Sequence, residues 1–235
     1  MKILAIESSG LVAGVAVVED GRTLAEYNVS HKKTHSQTLL PMLDEVKRMI
    51  GLDLSTVDAI AVSGGPGSFT GLRIGSATAK GLGLALDLPI AAVPTTEALA
   101  YNACSAPELV CPIMDARRGQ VFNGLYRFQG NNMETIAGQR IIDMNELIGE
   151  LNERGEDVLF LGDAVSVHKD KIGSEMTASY RFAPAHMNAQ RASALGTLAM
   201  KYAAAGKTVS AADHVPEYLR MSQAERERAL KEKNK

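Results

Sequence analysis

The sequence predicts an α/β fold of two domains, because three strands in succession open the chain and strands then alternate with helices. The three opening segments are rich in aliphatic and β-branched residues and span 2–8, 12–19 and 23–29. Two helices and two apolar strands then alternate. The resulting order, β-β-β-α-β-α-β, is that of a ribonuclease-H-like unit, the building block of the actin and sugar-kinase superfamily.

The first unit carries a distinct signal for each of its elements. Asp20-Gly21 tolerates the positive φ of a tight turn, which predicts a hairpin between the second and third strands. A helix is predicted from His35 to Gly51, because apolar residues recur there every three or four positions, at Leu39, Leu43, Val46 and Ile50. Two further strands, at 57–65 and 89–94, enclose a glycine-rich helix over 68–86.

A second, reduced domain is predicted in the remainder of the chain. Its signals are a pair of strands joined by a polar turn, a buried strand and an Ala-rich helix, at 109–128, 157–165 and 189–206 respectively. The predicted boundaries are 1–104 for the first domain, 105–211 for the second, 212–222 for a segment that returns to the first, and 223–235 for a charged, flexible tail.

Composition excludes several classes of protein. The formal net charge of −2 argues against a strongly basic nucleic-acid binder, so a partner would have to supply much of the positive surface for RNA. Glu7 interrupts the first apolar run too early for a secretory signal, and Asp87 and Pro89 interrupt the most apolar region, far short of the about 20 residues of a membrane span. Cys104 and Cys111 are expected to be reduced thiols. We therefore expect a cytoplasmic protein.

The segment from Gly64 to Leu86 is unusual because it places seven glycines in and before a predicted helix. A phosphate-binding loop is one explanation, but neither the P-loop spacing nor the dinucleotide fingerprint occurs, and Ser68 is better explained as an N-cap. The other explanation is a stripe of small residues, spaced by four, that a second helix can approach closely, formed by Gly71, Gly75, Ala79 and Gly83. Close packing of this helix on its own sheet remains the alternative.

Four motifs carry a resemblance to a known family: "GGPGSFTGLRIG", "VPTTEALA", "MDARRGQVFNGLY" and the closing "PEYLR". Together they resemble the TsaB (YeaZ) family, from the start of the chain to Arg220. The resemblance implies a two-domain actin-like fold and a role in the complex that transfers a threonylcarbamoyl group from an adenylate to an adenosine of tRNA. The partners it implies are the catalytic paralogue TsaD, the ATPase TsaE and tRNA bound through the complex. We also expect the chain alone to pair with a second copy, because a large exposed apolar patch rarely stays unpaired.

The paralogy allows a test for catalysis within this sequence. Two metal-binding histidines of the catalytic relatives correspond to Thr95 and Leu99, and only Glu97 between them is retained. Thr is a poor transition-metal ligand and Leu is none. Asp163 also replaces the second glycine of the relatives' adenosine motif. We therefore expect no metal or cofactor on this chain, and ATP and a metal ion in the catalytic partner.

Two groups of residues are candidates for contacts with a nucleotide or another anion. Glu7, Ser8 and Ser9 end the first strand, where the superfamily places an acidic residue near phosphates and Mg²⁺. The polar turn of the second domain carries Arg117 and Arg118. Each group has an ordinary alternative, since carboxylates at strand ends are common and turn aspartates accept hydrogen bonds from nearby N–H groups.

His31 and His35 have the i, i+4 spacing of a zinc-binding helix. However, Lys32 stands where such a site has its glutamate, and Lys33 adds a second positive charge, so a solvated helix start is the better interpretation. The two lysines, with the two arginines of the polar turn, are candidates for contact with tRNA.

These observations predict a non-catalytic subunit that docks two helices, 35–50 and 68–86, against the matching helices of the catalytic paralogue. The expected contact faces are the apolar stripe of the first helix, Leu39, Leu43, Val46 and Ile50, and the small-residue stripe of the second, Gly71, Gly75, Ala79 and Gly83. The alternative is a stand-alone ATPase or phosphotransferase that works in the cleft between the domains.

Overall fold

In the computed structural model, which describes residues 1–31 and 34–220, the chain forms two five-stranded sheets. The strands of the first sheet are β1 (Lys2–Glu7), β2 (Val12–Glu19), β3 (Arg22–Ser30), β4 (Ala59–Gly65) and β5 (Ile90–Pro94). They lie in the order β3-β2-β1-β4-β5. The hairpins β1-β2 and β2-β3 are antiparallel, whereas β4 and β5 run parallel to β1, as the predicted ribonuclease-H-like order requires.

Helices α1 (His35–Ile50) and α2 (Phe69–Leu86) cover one face of this sheet. Ser68 caps α2 as predicted, because its hydroxyl accepts a hydrogen bond from the Gly71 N–H at 3.3 Å. The apolar sides of both helices enclose a core with alternate residues of β1, Leu4 and Ile6. The two helices are therefore anchored on the sheet and present their other sides to solvent.

The second sheet comprises β6 (Leu109–Asp115), β7 (Gln120–Gln129), β8 (Asn132–Asp143), β9 (Val158–Leu161) and β10 (Tyr180–Phe182), in the order β10-β9-β6-β7-β8. Helices α4 (Met144–Arg154) and α5 (Val165–Glu175) pack on one of its faces. The sequence predicted β6, β7 and β9 but not β8, β10, α4 or α5. These four elements lie in a polar stretch, and β8 and β10 are half-exposed along most of their length, so their apolar pattern is weak.

The boundary between the domains differs from the predicted one at helix α6 (Ala192–Ala204). The prediction placed residues up to 211 in the second domain, but α6 packs on the other face of the first sheet. Gly196 lies so close to Val18 that an added Cβ would approach that side chain to 2.8 Å. Glu26 of β3 accepts hydrogen bonds from the backbone N–H and the hydroxyl of Ser193, at 2.8 and 2.6 Å. The chain therefore returns to the first domain at α6, before residue 212.

The two domains share one apolar core. The short helix α3 (Thr95–Ala100) lies between the sheets, and its Thr96 hydroxyl forms a hydrogen bond of 2.7 Å with the buried Tyr126 hydroxyl of β7. Residues of both sheets, of α3 and of α6 belong to a single buried cluster, among them Ile3, Ala5, Leu99, Phe122, Leu159 and Leu195. The second domain is therefore packed against the first rather than tethered to it.

The end of the described chain forms a strap across α2 and the glycine-rich loop. The Glu217 N–H donates to the Gly64 carbonyl at 2.7 Å, and the buried His214 ring is 2.5 Å from the Ser76 hydroxyl. These contacts place His214 and Glu217 on the first domain. The predicted returning segment, 212–222, is described only to residue 220, and the predicted tail, 223–235, lies outside the described residues. Within the described ranges, none of the helices combines the length and hydropathy needed to cross a membrane.

Candidate functional site

Glu7, at the carboxyl end of β1, is a fully buried carboxylate held by serines. One of its oxygens accepts from the Ser9 N–H at 2.7 Å and from the Ser9 hydroxyl at 2.5 Å, and the other accepts from the Ser63 hydroxyl. Burial raises the pKa of the Glu7 carboxyl, and the hydrogen bonds from Ser63 and Ser9 oppose that rise. The carboxylate is therefore engaged by neighbours within the chain.

The prediction that Glu7, Ser8 and Ser9 contact an anion is wrong for their side chains, because each is at most 1% exposed. Ser8 donates its hydroxyl to the Gly71 carbonyl at 2.9 Å, so it fastens β1 to the first turn of α2. The group works as a structural joint between β1, β4 and α2. A polar residue at the end of a strand can form hydrogen bonds either within the chain or with a ligand. The sequence could not distinguish these two roles.

The glycine-rich loop lies directly against this joint. The Ser68 N–H donates to the Ser9 carbonyl at 2.7 Å, which brings the loop onto the β1-β2 turn. A Cβ added at Gly67 would overlap that same carbonyl, so no larger residue fits without a backbone shift. The glycines before α2 thus permit close approach of two backbones within this chain.

The two stripes predicted to contact a partner are buried in the same way. Leu39, Leu43 and Val46 belong to the core between α1 and the first sheet, and Ile50 packs against that core. On α2, Ala79 is fully buried and Gly71, Gly75 and Gly83 face the chain's own atoms. A Cβ at Gly83, for example, would lie 2.7 Å from the Ala211 Cβ. The assignment as contact faces is therefore wrong for the seven buried residues, which pack within the chain, and Ile50 is half-buried.

A cleft of about 550 Å³ lies between the two domains. Residues of both domains line it, including Gly10, Phe69, Met114, Asp115, Arg117, Asp163 and Arg220. The Asp163 carboxylate accepts from the Asp115 N–H at 3.0 Å, at the carboxyl ends of β9 and β6. Burial raises the pKa of Asp163, the Asp115 N–H opposes that rise, and the negative charge of Asp115 adds to it. The floor of the cleft is therefore acidic.

Arg117 and Arg118 lie in the turn between β6 and β7, at the rim of this cleft. The Asp115 carboxylate accepts from the Arg117 N–H at 2.7 Å, and its other oxygen is 3.1 Å from the Arg117 guanidinium. Asp115 thus satisfies part of the turn, as the ordinary interpretation predicted. The exposed guanidinium of Arg117 and the exposed Arg118 remain available to a ligand.

The place that corresponds to the relatives' metal site is a packed helix. Thr95 and Leu99 of α3 are buried, and Leu99 belongs to the core shared by the domains. Glu97 accepts from the Tyr202 hydroxyl of α6 at 2.5 Å, and burial raises the pKa of its carboxyl. His35, the other candidate, donates through Nε2 to the Gly10 carbonyl at 2.9 Å. Among residues 1–31 and 34–220, no three His, Cys, Asp or Glu side chains cluster as metal ligands would.

The comparison with known proteins identifies the family. A family model described as TsaD, tRNA N6-adenosine threonylcarbamoyltransferase, matches residues 23–228. The tRNA threonylcarbamoyladenosine biosynthesis protein TsaB of Bacillus subtilis is 36% identical over 228 residues, which are 96% of each chain. The chain belongs to the TsaB family. The Escherichia coli protein of the same description is 33% identical over 160 residues, 64% of this chain and 69% of that protein.

A solved structure supports the TsaB-family fold. YeaZ from Pseudomonas aeruginosa superposes with a TM-score of 0.76 at 29% identity, over 93% of this chain and 99% of the other. The predicted fold class, a two-domain actin-like α/β fold, is confirmed by this likeness and by the strand order of the two sheets.

Sequence reasoning missed the residues of the strap that shape the cleft rim. Tyr218 packs against Phe69, with ring centroids 4.7 Å apart and the rings tilted by 39°, and Arg220 lines the cleft. The closing "PEYLR" motif contributed to the resemblance, but nothing local in it indicates which part of the fold it contacts. The prediction that residues 212–222 return to the first domain is the one inference that could have placed Tyr218 and Arg220 near the cleft.

Proposed function

We propose that this chain is a non-catalytic subunit of the complex that makes threonylcarbamoyladenosine in tRNA, and that it binds and supports the catalytic paralogue TsaD. The observation that carries this proposal is the match to the Bacillus subtilis TsaB protein over 96% of both chains. A full-length match of this kind includes both domains and the strap. We place this activity in the cytoplasm, with TsaE as the ATPase of the complex and tRNA as its substrate.

The chemistry of the described residues favours a non-catalytic role over a catalytic one. The positions of the relatives' histidines are occupied by buried Thr95 and Leu99, which offer no nitrogen to a metal. The one carboxylate at the end of β1, Glu7, is occupied by Ser9 and Ser63. ATP and a metal ion are accordingly assigned to the catalytic partner.

The docking face that we now propose is the solvent side of α1 and α2. It carries large apolar side chains that are more than half exposed, Leu40 and Met49 on α1 and Leu84 on α2. It also carries Gly81, where an added Cβ would have no neighbour within 4 Å. Leu40 and Met49 are nine residues apart and so leave α1 on opposite sides, and we propose that a partner covers both these side chains and Leu84 of the adjacent helix. The same face would pair two copies of the chain when TsaD is absent.

The first test replaces Leu84 or Leu40 by Arg. Each change places a charge where the proposed interface is desolvated, so we expect co-purification with TsaD to fall at least tenfold. The melting temperature of the isolated chain should change little, since both side chains point to solvent. Tyr27→Arg is the matched control, because Tyr27 is 42% exposed on β3 and lies outside the proposed face.

Two outcomes would contradict the proposal. Retention of TsaD by both Leu variants would exclude the α1-α2 face. Equal modification of tRNA by TsaD and TsaE with and without this chain would exclude the supporting role itself. Sedimentation of the isolated chain, before and after Leu84→Arg, would show whether self-association uses the same face.

A stand-alone ATPase or phosphotransferase is the second candidate, and the cleft of about 550 Å³ between the domains is the observation that favours it. Such an enzyme needs an accessible carboxylate for Mg²⁺, and Asp163 is the candidate because it lines that cleft. Calorimetric titration of the isolated chain with ATP and Mg²⁺ separates the two functions. Micromolar binding that Asp163→Asn abolishes would favour the enzyme, and absence of heat would favour the supporting subunit.

A further inference from the structure

The strap, residues 209–220, carries a buried histidine that contacts helix α2. His214 is 2% exposed, and its Nε2 lies 2.5 Å from the hydroxyl of Ser76, which is 5% exposed. The Lys80 ammonium, one turn further along α2, donates to the carbonyls of Ala212 and His214 at 2.8 and 2.9 Å. The middle of the strap is therefore held on α2 by one imidazole ring and one ammonium group.

Backbone hydrogen bonds hold the strap on either side of this contact. Val209 forms two of them with Ile90 of β5, each 2.9 Å long, and the Glu217 N–H donates to the Gly64 carbonyl. Backbone amides do not titrate near neutral pH, whereas a histidine takes up a proton between about pH 5 and pH 8. His214 is therefore the group through which pH can act on the strap.

The surroundings of His214 favour its neutral ring. Burial lowers the pKa of His214, and the positive charge of Lys80 lowers it further. The other charged groups of α2 and the strap nearby are Arg73, whose Nε donates to the Tyr218 hydroxyl, and the exposed Asp213 and Glu217. Strands β4 and β5, which the strap crosses, contain no charged residue. A proton on His214 would therefore place a second positive charge in a buried site beside Lys80.

A serine hydroxyl beside a histidine nitrogen is also the arrangement of a nucleophile and its base. The surroundings argue against that role here. A catalytic base must become an imidazolium, and Lys80 disfavours that form of His214. Ser76 lies in the body of α2 and is buried, so a substrate could not reach it while the strap is in place. The contact between Ser76 and His214 is therefore structural.

We propose that the strap is a pH-sensitive element, in which residues 211–218 detach locally from α2 when His214 takes up a proton. A buried charge without a partner costs free energy, and water solvates the charged ring once the strap has left. Tyr218 of the same strap packs against Phe69, which lines the cleft between the domains. Detachment would therefore uncover one side of that cleft. The inference needs no partner and does not depend on the proposed function.

The sign of the pH dependence follows from the two states of the strap. In the detached strap the His214 ring has its ordinary pKa of 6.5, and in the attached strap its pKa is lower. Attachment is therefore fully stable above pH 6.5 and weakens as the pH falls from 6.5 toward the lower pKa. The equilibrium constant for detachment rises by at most about tenfold per pH unit in that range.

Nuclear magnetic resonance of the full chain, from about pH 7.5 to about pH 5, tests the proposal. The Cε1–H resonance of His214 should titrate below pH 6.5. Protection of the Glu217 amide against hydrogen exchange should fall about tenfold over this range, while protection of the β1 amides stays constant. The nuclear Overhauser contact between the Phe69 and Tyr218 rings should weaken in parallel with the Glu217 protection.

Three variants identify the group responsible. His214→Gln keeps a polar side chain for Ser76 but takes up no proton, so protection of the strap should no longer depend on pH. His186→Gln is the matched control, because His186 is an exposed histidine, and it should retain the pH dependence of the unchanged chain. Lys80→Gln removes the neighbouring charge, so the pKa of His214 should move toward 6.5 and the pH dependence should become smaller.

Three results would overturn the inference. A His214 resonance that titrates at or above pH 6.5 in the unchanged chain would do so even if no variant folds. An unchanged pH dependence in His214→Gln would assign the effect to another group, such as the buried carboxyl of Glu7. Equal loss of protection in β1 and the strap would show global unfolding instead of local detachment. Failure of the chain to bind TsaD would overturn the proposed function and leave this inference standing.

Discussion

At the scale of single residues, Glu7 is a carboxylate that the fold holds without exposing it to solvent. Its two oxygens receive hydrogen bonds from Ser9 and Ser63, which compensate part of the cost of burying a charge. The net effect of the surroundings is still to raise the pKa of the Glu7 carboxyl. A group with a raised folded-state pKa stabilises the protein fully below its unfolded pKa, and that stability is lost as pH rises through the folded pKa.

This linkage predicts the behaviour of Glu7→Gln. The variant lacks the titration, so its melting temperature relative to the unchanged chain should become more favourable as pH rises above the ordinary value of 4.5. Thermal melts of both proteins between pH 4 and 8 measure the difference in melting temperature. The total free energy of unfolding of a typical domain is about 5 to 15 kcal/mol, and the difference is a part of it. Glu153→Gln, on the exposed side of α4, is the control for the substitution itself. Parallel pH curves for Glu7→Gln and the unchanged chain would show that Glu7 does not titrate differently on folding.

At the scale of elements, α2 has two faces that use small residues for different reasons. Gly71 faces the sheet, where an added Cβ would overlap the Ser8 carbonyl of the β1-β2 turn. Gly81 faces solvent, where an added Cβ meets nothing within 4 Å. The first glycine is required by packing within the chain. The second lowers helix stability with no compensation in the isolated chain, which fits a face that a partner helix approaches closely.

Alanine at these two positions should change stability in opposite directions. Gly71→Ala should lower the free energy of unfolding by about 1 to 3 kcal/mol or more, because the backbone of Ser8 must move. Gly81→Ala should raise it by about 0.5 to 1 kcal/mol through helix propensity. Urea unfolding of both variants measures the effect, with Gly149→Ala on α4, another open position, as the control for propensity alone. A destabilised Gly81→Ala would show that this face is not free.

At the scale of the whole molecule, elements that are distant along the chain pack together in the first domain. The second domain is inserted between β5 and α6, and α6 closes the face of the first sheet that α1 and α2 leave open. Leu195 and Ala199 of α6 share a core with Ile3 and Ala5 of β1. The first domain is therefore incomplete until the C-terminal part of the chain has been made.

A chain truncated after Cys104 should consequently fail to fold cooperatively. It would expose the apolar face of the first sheet that α6 covers, including Ile3, Ala5 and Ala16. Joining residues 1–104 to 189–220 through a flexible linker should restore a cooperative unfolding transition, although α3 would still lack its neighbours from the second sheet. Circular dichroism during urea unfolding distinguishes the two chains. A cooperative transition in the truncated chain would show that α6 is dispensable for the first domain.

The amino-acid sequence predicts the strands β1 to β5 and the helices α1 and α2 in their chain order, and it predicts the family. These elements have strong apolar periods, and the four motifs are specific. It did not determine β8, β10, α4 or α5, whose polar, half-exposed residues carry little period. Local pattern shows which side of an element is apolar or small, but not what covers that side.

Tertiary structure decided which features face outward. The stripe from Gly71 to Gly83 is compatible with a foreign helix or with the chain's own strand, and only the position of Ser8 and Ala211 shows that the chain covers it. The serines around Glu7 and the aromatic neighbours of the Arg117 turn are likewise distant in sequence and adjacent in space. Burial and electrostatic environment depend on such non-local contacts, and a single sequence does not encode them in any local pattern.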